Sequence, residues 1–360
     1  MRDAPNLILV HEPERACRAR LLAEGFPAER ADEIGSYLAQ ATDIAPDLAA
    51  IGQACLRRGI GFVPVALDDM PRRMADWGRN VLVWTLTDGI AYFRGGAAPA
   101  LARLAGLPVF GADDSLFALC QDKFRSGAVL RALGLPAPEA GLARDGAWIV
   151  EPPATANGYF VKPNRLGAKI GIWPDSHCRT AEEALVISRR IHAHYRDDAI
   201  VQRYVPGRNV RASFLAVEPD CGPEAVGVVF VDSGGDFQTM AESLALYGET
   251  GAAARADGRY AEPELVGVAS RQPGADTAIR TICARLMTHL GLRDVFSADF
   301  RVEADDTVHL LEFEVCPGLP CFDFRDYCGR QWNLSLPEAM AEAAARRLIR
   351  SEAARTLAPA

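Results

Sequence analysis

The chain has 360 residues, 49% of them apolar, and a formal net charge of −8. That length suits two or three domains' worth of core, and that apolar content excludes a disordered chain. The acidic balance argues against bulk binding of nucleic acid, which rests on Lys and Arg neutralising phosphates. No early segment joins a basic start, an apolar run and a small-residue cleavage site, and the apolar run at 7–10 is too short to span a bilayer. A cytoplasmic protein without membrane contact is therefore expected. The nine cysteines form no CxxC pair, so the spacing indicates neither a zinc site nor a disulfide framework.

In chain order, 6–10 is expected to be a buried strand. The stretch 28–58 has apolar residues at helical spacing (Ile34, Leu38, Ala41, Leu48, Ile51, Leu56) and stops at Arg57-Arg58-Gly59. Strands at 62–65 and 81–84 and a helix at 97–106 complete an alternation that predicts an open α/β domain up to about residue 112. A helix at 122–133 is stopped by Gly134 and Pro136. Strands follow around 148–150 and 159–162, the latter leading through a glycine-containing turn into a second strand. Thr180 and Glu183 form the capping box of a helix at 180–195. After a strand at 199–202, 210–217 and 225–231 are expected to pair antiparallel. The irregular stretch 232–263, rich in Gly, Ala, Ser and acids, is a candidate lid. A helix at 275–290 precedes strands 295–303 and 307–315, joined by the turn Ala304-Asp305-Asp306. The tail from Pro337 to about Ala354 is helical.

The late hairpin carries the strongest chemistry. Side chains alternate along a strand, so Asp299 lies on one face of its strand, and Glu312 and Glu314 share a face of theirs. Pairing the strands gathers three carboxylates, which repel each other unless cations lie between them. Hard oxygen donors of this kind suit Mg²⁺ together with nucleotide phosphates. Upstream, Lys162 at a strand end before a glycine turn offers a point charge beside exposed backbone N–H groups, a phosphate-binding arrangement. Lys123 stands in the first turn of a helix, where the dipole disfavours a cation. The strand 199–202 continues into an irregular run through Tyr204, Val205, Pro206 and Gly207, whose free backbone edge can bond an adenine ring. A dinucleotide-binding reading fails, because no GxGxxG follows the first strand.

The succession matters more than any one motif. Asp122-Lys123 before a helix, Val161-Lys162-Pro163 with its glycine turn, Tyr204-Val205-Pro206-Gly207, then Asp299, Glu312-x-Glu314 and Pro317-Gly318 together resemble the ATP-grasp superfamily. Within it the chain is most similar to the D-alanine–D-alanine ligase family, from about Val81 to the C-terminus. The resemblance implies an α/β, ATP-grasp fold: an N-terminal α/β domain (1–112) and two sheet subdomains (113–207 and 208–360) clasping ATP. It implies that Lys123 and Lys162 contact the phosphates, that Gln202, Tyr204 and Val205 line the adenine, and that Asn209 lies near the ribose. Asp299, Glu312 and Glu314 would bind two Mg²⁺ ions, with Mn²⁺ able to substitute. The implied reaction makes an acyl phosphate from a small carboxylate, which an amine then attacks. A homodimer is the expected assembly.

Departures from the family's pattern redirect the expected specificity. An arginine usual two residues before the metal aspartate is Ser297 here, so Arg301 or Arg325 is expected to serve as the oxyanion cation. Lys169 stands in the glycine turn where small hydroxylated residues are usual and is a third catalytic candidate. Asp323 replaces a serine near the substrate carboxylate, which suits a basic or amine-bearing substrate. Glu12 stands near the place of an absent Gly-Gly-x-Ser-x-Glu signature, either orienting a substrate amine or solvated in a loop. The expected activity is an ADP-forming acid–amino acid ligase of specialised peptide or amide biosynthesis. The alternatives are an intramolecular cyclo-ligase, a D-alanine–D-alanine ligase proper, and a nucleotide-binding partner subunit without catalysis.

Overall fold

The computed structural model describes residues 4–42, 44–87, 94–218, 220–231, 236–242 and 265–357. Three sheets carry it. The first is parallel, in the order β2-β1-β3-β4, from β1 (Asn6–His11), β2 (Gly61–Ala66), β3 (Val81–Thr85) and β4 (Val109–Phe110). Leu7, Ile8, Leu9 and Val10 are at most 1% exposed, because helices cover both faces of this sheet. Helices α1 (Glu14–Ala23) and α2 (Ala28–Thr42) share a core with Leu166, Ile170 and Tyr195, whereas α3 (Leu48–Arg57), the single turn α4 (Met70–Arg73) and α5 (Ala97–Leu104) pack on this sheet.

The second sheet is antiparallel, in the order β6-β5-β9-β7-β8, from β5 (Ala140–Arg144), β6 (Ala147–Val150), β7 (Tyr159–Pro163), β8 (His177–Cys178) and β9 (Ala199–Arg203). Helices α6 (Asp114–Gln121) and α7 (Lys123–Ala132) lead into it, and α8 (Ala181–Tyr195) packs on it through Ala184, Ile187 and Ile191. The third sheet, also antiparallel, runs β12-β11-β10-β13-β14: β10 (Arg208–Leu215), β11 (Gly227–Phe230), β12 (Val266–Gly267), β13 (Val295–Val302) and β14 (Val308–Glu314). Helix α9 (Pro273–Arg285) covers it, followed by α10 (Phe322–Trp332) and α11 (Leu336–Leu357). The last helix returns to the first sheet, where Ala339, Met340 and Leu348 share a core with Leu7, Ile51 and Trp84.

Several elements differ from expectation. The long helix at 28–58 is two helices, parted by a 3₁₀ turn at Ala45–Asp47 that Pro46 enters; proline lacks the N–H a continuous helix needs. Helices α1 and α6 were not foreseen, although Asp113 caps α6 by accepting the Leu116 N–H at 3.0 Å. The helix at 275–290 ends its α-form at Arg285 and closes with a π-turn, Leu286–Leu290, before Gly291. The strand expected just after the turn beyond Lys162 is absent there. Ala168 (φ 50°), Lys169 (φ 64°) and Gly171 (φ 72°) are left-handed, which a strand forbids, and β7 instead pairs with β8 further on. Of the candidate lid at 232–263, only 236–242 belong to the described residues.

Asn164 ties the second sheet to α7. Its carbonyl accepts from Lys123 N (3.1 Å), its Oδ1 from Phe124 N (2.8 Å), and its Nδ2 donates to Asp122 Oδ1 (3.0 Å). Asp122 Oδ1 in turn accepts from Arg125 N at 3.0 Å. The first three N–H groups of α7, which no helix can satisfy internally, are thus all partnered. Asn164 is 1% exposed, so Asn164→Ala leaves Phe124 N–H without its acceptor and takes one of its donors from the buried Asp122. It is expected to cost about 2–3 kcal/mol in urea unfolding.

Candidate active site

A cleft of 210 Å³ lies between the second and third sheets. One end is apolar, lined by Phe160, Ile172, Val231, Phe237, Phe300 and Leu311. The other is charged, lined by Lys162, Lys169, Arg211, Asp299 and Glu312. Such a cleft matches a molecule with a flat apolar body and an anionic tail.

The charged end is built by strand register. Asp299 on β13 stands opposite Glu312 on β14, and Ser297 opposite Glu314. The pairing then slips by one residue between Asp299 and Phe300, a bulge that leaves Leu311 unpaired. Carboxylate oxygens of Asp299, Glu312 and Glu314 come within 4.8 Å of one another. Three hard oxygen donors this close fit a divalent cation of the Mg²⁺ or Mn²⁺ kind.

Two lysines face this cluster, Lys162 from β7 of the second sheet and Lys123 from the first turn of α7. Lys162 Nζ reaches Glu312 Oε2 at 2.9 Å, and Lys123 Nζ donates to Leu166 O at 2.7 Å. Burial works to raise the Glu312 carboxyl, but the charges of Lys162 and Lys123 overcome it and hold it at about 2. Glu314 is displaced the other way: burial raises it, with Asp299 and Glu312 adding repulsion against Arg211, while the Ser297 hydroxyl donates to its Oε2 at 2.8 Å.

Arg211 is the residue that sequence reading missed. It lies on β10 directly across from Asp299, to which Nε (2.9 Å) and Nη2 (3.0 Å) donate as a fork. Its Nη1 is 3.4 Å from Asp323 and 3.9 Å from Glu314. Burial alone would depress this guanidinium, yet Asp299, Asp323 and Glu314 raise it well above its ordinary value.

The apolar end also gathers Gln202, Tyr204, Val205 and Asn209, all four lining the cleft. Tyr204 stacks on His177 with ring centroids 3.6 Å apart and bonds Asp236 through its hydroxyl. Arg301 organises this end. Nε donates to Val205 O (3.1 Å), Nη1 to Asn209 Oδ1 (3.0 Å) and Asp236 O (2.6 Å), and Nη2 to Asp236 Oδ1 (2.9 Å) and Tyr204 Oη (3.3 Å). A guanidinium has five N–H donors, and all are engaged. The oxyanion role expected of Arg301 therefore does not match its placement.

Comparison with known proteins agrees with this architecture. No family model matches the chain. The D-alanine–D-alanine ligase of Geobacter sulfurreducens is 29% identical over 192 residues, 52% of this chain and 58% of that relative, so the match spans little more than half the relative's length. The D-alanine–D-alanine ligase of Synechococcus sp. (strain JA-3-3Ab) is 24% identical over 74% of this chain and 79% of its own. The crystal structure of the Bacillus anthracis D-alanine–D-alanine ligase complexed with ATP superimposes with a TM-score of 0.59 at 12% identity, covering 97% of this chain and 100% of that one. The chain has the ATP-grasp fold of these ligases and is similar in sequence to D-alanine–D-alanine ligases.

Measured against that family's pattern, two further expectations change. Arg325, on the exposed side of α10, donates to Pro320 O (2.8 Å) and Asp47 (2.6 Å), and so ties α10 to the turn before α3 rather than serving the cleft. Glu12 is no solvated loop carboxylate. It is 3% exposed and accepts from Arg20 Nη2 at 2.8 Å, with Arg94 at 3.7 Å. Asp323, in the first turn of α10 and 5% exposed, does reach the charged cluster, through Arg211.

Lys169 also lines the cleft and donates to Gln238. Burial, joined by repulsion from Arg211, lowers its pKa to about 8, against the pull of Asp299, Cys321 and Asp323. A lowered ammonium loses its charge as pH rises through that value. Binding of a nucleotide that relies on it should weaken about tenfold between pH 7 and pH 9, and Lys169→Arg should flatten that dependence. Nucleotide titrations at the two pH values check both.

Proposed function

We propose that the chain is an ADP-forming carboxylate–amine ligase. The observation that carries this reading is the meeting of Asp299, Glu312 and Glu314 on one sheet with Lys162 from the other and Lys123 from α7, beside a cleft with an apolar end. The ATP complex of the similarly folded Bacillus anthracis ligase supports it.

In the first step a carboxylate oxygen of the acid substrate attacks the γ-phosphorus of ATP. The new O–P bond forms as the bond to the β–γ bridging oxygen breaks, and ADP leaves with the electron pair. In the second step the amine nitrogen attacks the acyl carbon, the C–N bond forms, and phosphate leaves with the electrons of the broken C–O bond. The nitrogen's surplus proton passes to solvent. Little covalent work falls to the protein, so its task is positioning and neutralisation of charge. Lys162 and Lys123 provide fixed positive charge for the phosphates, while Gln202, Tyr204, Val205 and Asn209 hold the base and ribose. Mg²⁺ bound by Asp299, Glu312 and Glu314 supplies neutralisation of the phosphoryl oxygens.

The acidic Asp323, beside Arg211 and the charged end of the cleft, favours an amino acid or another amine-bearing substrate of specialised amide biosynthesis. Ligation of two D-alanines, the activity named for the relatives, is the second reading. Among the described residues no helix is long and apolar enough to cross a membrane. A screen of L- and D-amino acids, singly and in pairs, for ADP release and a product mass tests the proposal. Pair-dependent ADP release with a dehydrated adduct supports it, D-alanine alone selects the second reading, and no stimulation by any acid opposes both.

A further inference from the structure

Arg211 occupies a position that needs an account. A guanidinium taken from water into a cleft is costly unless it is paired, and it pairs here with residues that are themselves placed to hold a cation. Its two halves differ. Nε and Nη2 are engaged by Asp299 in a fork, whereas Nη1 approaches Asp323 at 3.4 Å and Glu314 at 3.9 Å without a hydrogen bond to either. Asp323 Oδ2, the atom nearest Nη1, is likewise buried and has no hydrogen-bond partner. Donors and an acceptor are thus left over at one point beside the cleft. Arg301, two residues from Asp299 on the same strand, has no donor to offer there.

We propose that Arg211 is the fixed cation of the transfer step, its Nη1 donating to the oxygens of the phosphoryl group as it passes from ATP to the substrate carboxylate. This rests on the ligase reading and adds a residue and a job to it. The fork to Asp299, with Asp323 beside it, holds the guanidinium in place before the substrate arrives and leaves Nη1 as the donor for the phosphoryl oxygens. No proton moves to or from Arg211; the bond made is carboxylate O to γ-phosphorus and the bond broken is γ-phosphorus to bridging O. A second consequence follows from the same geometry. Because Arg211 engages Asp299, it competes with any divalent cation for that carboxylate while the nucleotide is absent.

Removing Arg211 must therefore push two observables in opposite directions. In Arg211→Gln, Mn²⁺ binding to the nucleotide-free protein, followed by calorimetry, should tighten about tenfold, since a cation no longer sits among the carboxylates. The rate of acid-dependent ADP release should fall about 100-fold or more, with the ATP KM changed less than kcat. Arg211→Lys, which keeps the charge and loses the fork, serves also if the glutamine variant does not fold. It should bind Mn²⁺ like the wild type and turn over at least about tenfold more slowly. Wild-type or weaker Mn²⁺ binding in Arg211→Gln, or turnover within threefold of wild type in Arg211→Lys, overturns the assignment while leaving the ligase reading intact. A wild-type protein that takes up no nucleotide with Mn²⁺ removes both.

Discussion

Glu312→Gln is expected to lower acid-dependent ADP formation about 1,000-fold, the equivalent of roughly 4 kcal/mol of transition-state stabilisation. Glu312 stands at the meeting point of both sheets: across from Asp299 in the β13–β14 pairing, and 2.9 Å from Lys162 of β7. The charges of Lys162 and Lys123, against burial, hold its carboxyl at about 2, so it is ionised at any pH at which the enzyme would be assayed. Glutamine keeps the shape and removes the charge. A divalent cation then loses one of its three oxygen anions, whereas the lysines that face the phosphates remain. Two titrations separate these effects. Nucleotide affinity measured in EDTA should be unchanged or improved, because a negative charge has left the phosphate end. The gain in affinity on adding Mg²⁺ should largely vanish. A variant that keeps its Mg²⁺ dependence and turns over near the wild-type rate would remove Glu312 from the metal site.

Lys162→Met should be as damaging to turnover, by about 100- to 1,000-fold, through a different defect. Here nucleotide affinity in EDTA should fall, since the lost group is a phosphate-side cation. The substitution also takes from the half-buried Glu312, beside Asp299 and Glu314, the nearest of its counter-ions, leaving Lys123 and Arg211. Losing that hydrogen-bonded partner is expected to cost about 1–3 kcal/mol. Stability and activity can be parted by the double variant Lys162→Met/Glu312→Gln. Neutralising both partners should restore most of the unfolding free energy and none of the turnover. If the double variant is no more stable than Lys162→Met alone, the pair is not what organises this end of the cleft.

The three carboxylates were legible in the sequence because strands impose a period of two. Once 295–303 and 307–315 are strands joined by a short turn, Glu312 and Glu314 share a face, and the partner strand brings Asp299 to them. The bulge at Leu311 was not legible, since nothing in Leu310-Leu311 distinguishes a paired leucine from an unpaired one. Arg211 was missed for a related reason. In Asn209-Val210-Arg211-Ala212-Ser213 a lone arginine looks like an exposed strand residue, and its meaning comes from the pairing of β10 with β13, 88 residues later in the chain. Arg301 misled in the opposite sense. It lies on the strand face that carries Asp299, but strand spacing moves it along the cleft to Val205, Asn209, Tyr204 and Asp236, whose groups take all its donors.

Local backbone chemistry explains the other misses. The run Ala168-Lys169-Ile170-Gly171-Ile172 has strand-like isoleucines, yet three of its residues are left-handed, and that was not apparent from composition. Helix α6 had a readable start in Asp113, followed by Leu116, Leu119 and Cys120 at helical spacing, and this signal was overlooked beside the stronger one at Asp122. Glu12 was judged by its loop-like neighbours, whereas Arg20 and Arg94, from two separate segments, close over it.

The most direct test of the account follows oxygen rather than rate. An amino acid that drives ADP release is prepared with both carboxyl oxygens as ¹⁸O and turned over with ATP and the amine. If the carboxylate is activated by phosphorylation, each turnover delivers one ¹⁸O atom to inorganic phosphate, which mass spectrometry reads as a shift of two mass units. Unlabelled phosphate, or label appearing in AMP, would contradict transfer of the γ-phosphoryl group onto the acid between these two sheets.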